Sequence, residues 1–193
     1  MNLPNKLTLV RMLLVPVFMV FTTMSQFGTA SFNPTLYLVA GVVFAAASFT
    51  DFLDGYLARK WNMVTDFGKF SDPLADKLLT TVAFLYMMRD GVCSPIVLAI
   101  ILAREFSVSG LRMVAAGAKD GKVIAANMWG KVKTVLQMLT IIFYYFAMGF
   151  ASTGNEALLS GITQGLCWLV AIVTAVSGMK YLWDNRSFIQ NAK

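Results

Sequence analysis

Histidine is missing from this 193-residue chain altogether, and acids are scarce, with ten Asp and Glu against sixteen Lys and Arg. Without histidine there is no Ser-His nucleophile, no His-metal site and no imidazole base. Any acid–base work falls to carboxylates, lysine or tyrosine. Cysteine is limited to Cys93 and Cys167, whose spacing fits neither a metal-ligand nor a redox motif, so they read as small apolar fillers or lone thiols. Charge of either sign is thin at 13% of the chain, where a soluble domain would carry about a quarter. There is no internal repeat and no low-complexity segment. Lys6 and Arg11 precede an apolar run, Met12 to Met24, in the manner of a signal peptide. The run lacks a small-x-small cleavage site and is read as a retained first span.

Hydrophobic residues make up 58% of the chain, which points to an all-α integral membrane protein. Crossing about 30 Å of hydrocarbon takes about twenty helical residues, so six transmembrane helices with short connections use up residues 1–193 as a single membrane domain. Helices are expected near Leu7–Met24, Leu36–Trp61, Phe70–Met88, Pro95–Ala116, Trp129–Phe150 and Leu158–Trp183, with breakers at Gly28 to Pro34, Gly91 to Pro95, Gly117 to Gly121 and Ser152 to Gly161. Placing both termini in the cytoplasm puts Lys6, Arg11, Arg59, Lys60, Lys69, Lys77, Arg104, Arg112, Lys119, Lys122, Lys131, Lys133, Lys180, Arg186 and Lys193 on the inner side and only Arg89 outside. Lys and Arg favour cytoplasmic flanks, so this topology is the expected one. The net charge of +6 reads either as membrane orientation and attraction to anionic lipid, or as a means of drawing in anionic substrates. Nucleic acid is not among the expected partners.

Four of the few acids, Asp51, Asp54, Asp72 and Asp76, fall within hydrophobic stretches. A carboxylate at membrane depth costs roughly 2.5–3.5 kcal/mol on insertion scales, so four together call for compensation, most naturally by a divalent cation. An all-aspartate set offers hard oxygen ligands suited to Mg²⁺ or Mn²⁺. At about 100° per helical residue, Asp51 and Asp54 lie about 60° apart on one face, with Gly55, Ala58 and Arg59 close by. Gly68, Asp72 and Asp76 follow one another in steps of four along a face of the next helix. The turn between Trp61 and Phe67 brings the two faces together, making room for two metals. Gly55, Ala58 and Gly68 serve either close helix packing or ligand access. Arg59 marks either the cytoplasmic boundary or a diphosphate contact suited to its forked guanidinium.

Written out, the segment is Asp51-x-x-Asp54-Gly55-x-x-Ala58-Arg59, eight residues, then Gly68-x-x-x-Asp72-x-x-x-Asp76. It resembles, position for position, the signature of the CDP-alcohol phosphotransferases. The resemblance implies that Asp51, Asp54 and Asp72 ligate metal, with Asp76 as general base and additional ligand. It implies contacts to the CDP moiety from Gly55, Ala58, Arg59 and Gly68, with Thr65 as a neighbour. Pro4-Asn5-Lys6-Leu7-Thr8-Leu9-Val10-Arg11 is similar to an element that family members often carry before the first span, adding Asn5 and Thr8 to the donor site. Read without the family, Asn5 or Thr8 is an ordinary helix cap and Arg11 a boundary charge. The shared chemistry is attack of an alcohol on the β-phosphorus of a CDP-linked donor with departure of CMP. A homodimer is a further expectation from the family.

The second half holds Arg104-Glu105-Phe106-Ser107-Val108-Ser109-Gly110-Leu111-Arg112 inside an apolar helix, then Lys131 and Lys133 entering the next. Two readings stand: an ion-pair network joining helices, or a cationic pocket for an acceptor phosphate. Ala103-Arg104-Glu105, Leu111-Arg112 and Gly130-Lys131-Val132-Lys133-Thr134 resemble bacterial phosphatidylglycerophosphate synthases. That implies CDP-diacylglycerol as donor, glycerol 3-phosphate as acceptor held by Arg104, Arg112, Lys131 and Lys133, and a bacterial plasma membrane location with the site facing the cytoplasm. A synthase of the same chemistry using phosphatidylglycerol or an inositol phosphate is the alternative acceptor reading. A cation transporter and a prenyltransferase are the alternatives of other classes. The glycine and Ala-Arg positions argue against the transporter, the paired glycine spacing argues against the prenyltransferase, and residues 153–193 carry no usable motif.

Overall fold

The computed structural model describes residues 3–30, 32–60, 66–117, 128–151 and 155–186, with the backbone alone described at 3–6, 52, 54–60, 66–73, 76 and 116–117. The described residues form six helices: α1 (Leu3–Met24), α2 (Pro34–Lys60), α3 (Asp66–Arg89), α4 (Pro95–Gly117), α5 (Met128–Gly149) and α6 (Glu156–Asp184). Each coincides with one of the expected apolar segments. Helices α1 and α3 begin four residues earlier than hydrophobicity alone suggested, the largest such shifts. Helix α1 starts at Leu3, with Pro4 in the first turn, where a missing N–H breaks no helical bond. Helix α3 starts at Asp66, an acid that suits the positive end of a helix dipole.

The helix ends follow local chemistry. Asn33 caps α2, its Oδ1 accepting the Thr35 N–H at 3.0 Å, with Pro34 as first helical residue. Ser94 repeats the device at α4: its hydroxyl accepts the Ile96 N–H at 3.3 Å ahead of Pro95. Helix α3 stops at Gly91, whose φ of +75° lets Val92 N–H reach Met87 O and Gly91 N–H reach Met88 O, both at 3.0 Å. That double bond pattern satisfies carbonyls the helix would otherwise leave open.

The helices alternate in direction. Arg11 on α1 meets Asp51 on α2, Tyr86 on α3 meets Thr23 at the far end of α1, and Lys133 on α5 meets Glu105 on α4. The start of α1 and the end of α6 therefore lie at the same end, together with the end of α2 and the start of α3. The core runs through the middle of the bundle. Ala40, Phe44 and Ala47 recur on one face of α2, and Gly41 lets α5 approach so closely that a Cβ there would lie 3.1 Å from Tyr145 Cβ. Tyr145 stacks on Tyr37 (ring centroids 5.7 Å apart) and meets Phe18 edge-on at 5.2 Å, tying α5, α2 and α1 together.

At the end opposite the aspartates, the Asp90 carboxylate is 2% exposed and paired with Arg89 at 2.6 Å. Tyr37 and Tyr144 donate their hydroxyls to its Oδ2 at 2.5 and 2.7 Å. Arg89 continues the network to the carbonyls of Thr22 (2.8 Å) and Ser25 (3.2 Å). Helices α1, α2, α3 and α5 are thereby clasped through one acid. Among the described residues, four helices, α1, α2, α5 and α6, are long and apolar enough to cross a membrane. The other two, α3 and α4, carry Asp72 and Asp76 and the Arg104–Arg112 charges respectively.

Candidate active site at one end of the bundle

The aspartate signature straddles the α2–α3 connection. Asp51, Asp54, Gly55, Ala58 and Arg59 occupy the last turns of α2, and Gly68, Asp72 and Asp76 the first turns of α3. Both helices reach this end of the bundle, so the backbone brings the two halves of the motif to one place. Thr65 lies outside the described residues. The side chains of Asn5, Asp54, Gly55, Ala58, Arg59, Gly68, Asp72 and Asp76 do as well.

Asp51 is the member of the set whose surroundings are described. Its Oδ1 takes Arg11 Nη1 at 2.5 Å; the Arg11 side chain has no exposed surface, and that of Asp51 keeps 32%. Thr8, one turn before Arg11 on α1, is buried as well. A buried arginine in an apolar helix is tolerable only beside an acid, so α1 is fixed against α2 by this contact. Metal-binding carboxylates are commonly held by a neighbouring donor in this way. The donor set, four carboxylates and no sulfur or imidazole, thus fits a hard divalent cation.

A second charged group lies at the same end. Glu105 accepts hydrogen bonds from Lys133 of α5 and from Arg104 Nη1, the latter at 3.1 Å, and Lys77 Nζ of α3 lies 4.0 Å from its other oxygen. Arg104 Nη2 also donates to Ser177 of α6 at 3.4 Å, and Lys77 donates to Ser109. Arg104 and Lys133, both expected acceptor-site residues, are therefore brought together. Arg112 and Lys131 are not part of this cluster: both are exposed, and Arg112 donates through Nε to the Tyr181 hydroxyl at 3.1 Å while lying over that ring. The 80° or so between Arg104 and Arg112 on α4 directs them to different neighbours.

Two residues gain a place that sequence reasoning had not given them, and Glu105 takes the ion-pair network that was one of its two readings. Arg11 was a boundary charge and Lys77 one of many inner cations. Each had a signal: an ionisable residue within an apolar helix implies a partner, and Lys77 directly follows Asp76.

The profile of the CDP-alcohol phosphatidyltransferase family matches residues 1–176. The chain belongs to this family. Among similar relatives, the CDP-diacylglycerol–glycerol-3-phosphate 3-phosphatidyltransferase of Bacillus subtilis (strain 168) is 39% identical over 190 residues, 95% of each chain. The protein of the same name from Rickettsia bellii (strain RML369-C) is 34% identical over 180 residues, 93% of each chain. Its namesake in Mycoplasma pneumoniae is 36% identical over 161 residues, 78% of this chain and 70% of that one. The family match covers every expected site residue, from Asn5 to Lys133.

Proposed function

We propose that this protein transfers the phosphatidyl group of CDP-diacylglycerol to glycerol 3-phosphate, forming phosphatidylglycerophosphate and CMP. The observation that carries the reading is the near-full-length similarity to the Bacillus subtilis 3-phosphatidyltransferase, 39% identity over 95% of both chains. A hydroxyl of glycerol 3-phosphate attacks the β-phosphorus of the donor, the bond from that phosphorus to the CMP oxygen breaks, and CMP departs. Asp76 takes the hydroxyl proton, a task a carboxylate must perform in a chain without histidine. Asp51, Asp54, Asp72 and Asp76 hold two Mg²⁺ or Mn²⁺ ions, which when bound spread the diphosphate charge and steady the departing oxygen. Arg11 keeps Asp51 in place. Gly55, Ala58, Arg59, Thr65 and Gly68, with Asn5 and Thr8 on α1, take the CDP moiety. Arg104 and Lys133, joined by Arg112 and Lys131 nearer the surface, take the acceptor phosphate.

The six helices cross the membrane with both termini and the site on the cytoplasmic side, in a bacterial plasma membrane. In support, the described Lys and Arg residues other than Arg89 lie towards the aspartate end, with Lys77 and Arg104 near the middle of their helices. Aromatic and basic residues meet there too, with Lys180 6.0 Å from the Trp129 ring and Arg186 4.7 Å from that of Trp183, as at a membrane interface. Helices α3 and α4 cross with their charges turned to a polar site rather than to lipid. The protein works as a homodimer.

Purified protein with CDP-diacylglycerol, Mg²⁺ and a panel of acceptors tests the reading. CMP release proportional to added glycerol 3-phosphate is expected. Preference for phosphatidylglycerol, an inositol phosphate or serine would overturn the acceptor, and absence of CMP release with every acceptor would overturn the activity.

A further inference from the structure

Helix α4 contains one acid, Glu105, and three helices send cations to it. Lys133 comes from α5, Arg104 from α4 itself and Lys77 from α3. The Glu105 carboxylate is 16% exposed and Lys133 only 6%. Arg104 cannot swing freely. A Cβ at Gly178 would lie 2.8 Å from its Cγ, and one at Gly130 would lie 3.1 Å from its Nη2. Its side chain thus passes through a slot between α6 and α5 that two glycines keep open, and Ser177 and Glu105 receive its head. Lys77 is the residue after Asp76, so the cluster begins about 3.8 Å along the chain from the proposed base, the spacing of consecutive Cα atoms.

We infer that Glu105 is a positioning residue for the acceptor, its carboxylate gathering Lys133, Arg104 and Lys77, the residue after Asp76 on α3, into one anion-binding group. This extends the acceptor site to Glu105 and Lys77 and rests on glycerol 3-phosphate being the acceptor. Three cations within reach of one point repel each other strongly where water is sparse. An interposed carboxylate offsets that repulsion, and the four side chains still sum to two positive charges. A phosphomonoester carries about −1.5 to −2 at neutral pH and matches that sum. Cations already in place need no rearrangement when the phosphate arrives, which favours the acceptor and leaves the donor untouched.

The test is steady-state CMP release by purified wild-type protein and Glu105→Gln, varying each substrate in turn. Glutamine keeps the shape and an acceptor oxygen but loses the charge. The KM for glycerol 3-phosphate should rise at least tenfold while that for CDP-diacylglycerol stays within twofold. Equal rises in both values, or an acceptor KM that is unchanged or lowered, would overturn the inference. If Glu105→Gln does not fold, Glu105→Asp carries the same test, since it keeps the charge but draws it back by about 1.5 Å, one carbon–carbon bond. An acceptor KM raised at least fivefold at constant donor KM supports positioning, and an unchanged acceptor KM refutes it. Wild-type protein that released no CMP on addition of glycerol 3-phosphate would overturn the functional reading and this inference together.

Discussion

Arg11 and the aspartates define the residue scale. Arg11 is fully buried and 2.5 Å from Asp51, so Arg11→Ala leaves a half-buried carboxylate without this partner. Breaking a buried pair costs roughly 3–5 kcal/mol, lessened here by the exposed part of Asp51. Thermal unfolding in detergent should show a clear fall in Tm, and an unchanged Tm would mean that the contact is not holding α1 to α2. Arg11→Lys should recover only part of the loss, because one ammonium does not replace the planar fork. Asp76 and Asp72 separate by role. With three carboxylates still holding metal, Asp76→Asn should bind CDP-diacylglycerol with at most a modest loss while turnover falls by roughly 10²–10⁴-fold, the range for loss of a general base. Asp72→Asn should lose turnover together with metal dependence. Donor binding and turnover measured on the same preparations distinguish the two, and near-normal turnover in either variant refutes its role.

At the scale of helices, glycine placement sorts packing from bystanders. Gly178 and Gly165 both lie on α6, yet a Cβ at Gly178 meets Arg104 Cγ at 2.8 Å and one at Gly165 meets nothing within 4 Å. Because Cγ is near the backbone, Arg104 cannot yield cheaply. Gly178→Ala should cost about 1–3 kcal/mol, as overpacking does, and weaken use of glycerol 3-phosphate. Gly165→Ala should be neutral or stabilise by about 0.5–1 kcal/mol, the helix cost of glycine. Unfolding midpoints of the two variants check the contrast, and equal effects would remove the slot from the account. The glycines were visible in the sequence, but no pattern distinguished them. Which glycine faces a neighbour depends on where α4 crosses α6, and the pairing of helices far apart in sequence is not written in the periodicity of either.

For the whole molecule, charge is divided between two ends with different work. The aspartate end holds the candidate chemistry; the Asp90 end holds a clasp of Arg89, Tyr37 and Tyr144. Asp90→Asn should therefore lower stability without touching catalysis. The expected loss is at least about 1.5–3 kcal/mol, the worth of one hydrogen bond to a charged group. Turnover per folded molecule should stay within twofold of wild type, and a loss of turnover at unchanged stability would show that the two ends are coupled. In the sequence Asp90 falls between the expected helix end at Met88 and the Gly91 to Pro95 breakers, and looks like a loop residue there. Its role emerges only when the ends of α1, α2, α3 and α5 converge on it.

The sequence by itself determined the class of the protein, the six helical segments, the signature residues and the polarity of its charges. Each of these is local: hydrophobic length, capping residues such as Asn33 and Ser94, spacing in steps of three and four, and the side on which lysines accumulate. Tertiary structure alone decided which charge meets which. Asp51 pairs with Arg11 forty residues earlier, and Glu105 draws Lys133 and Lys77 while Arg112 turns to Tyr181. The physical reason is that a helix repeat fixes the face on which a side chain lies. The neighbour across that face is set by how the bundle closes around its core, through contacts such as Gly41 against Tyr145.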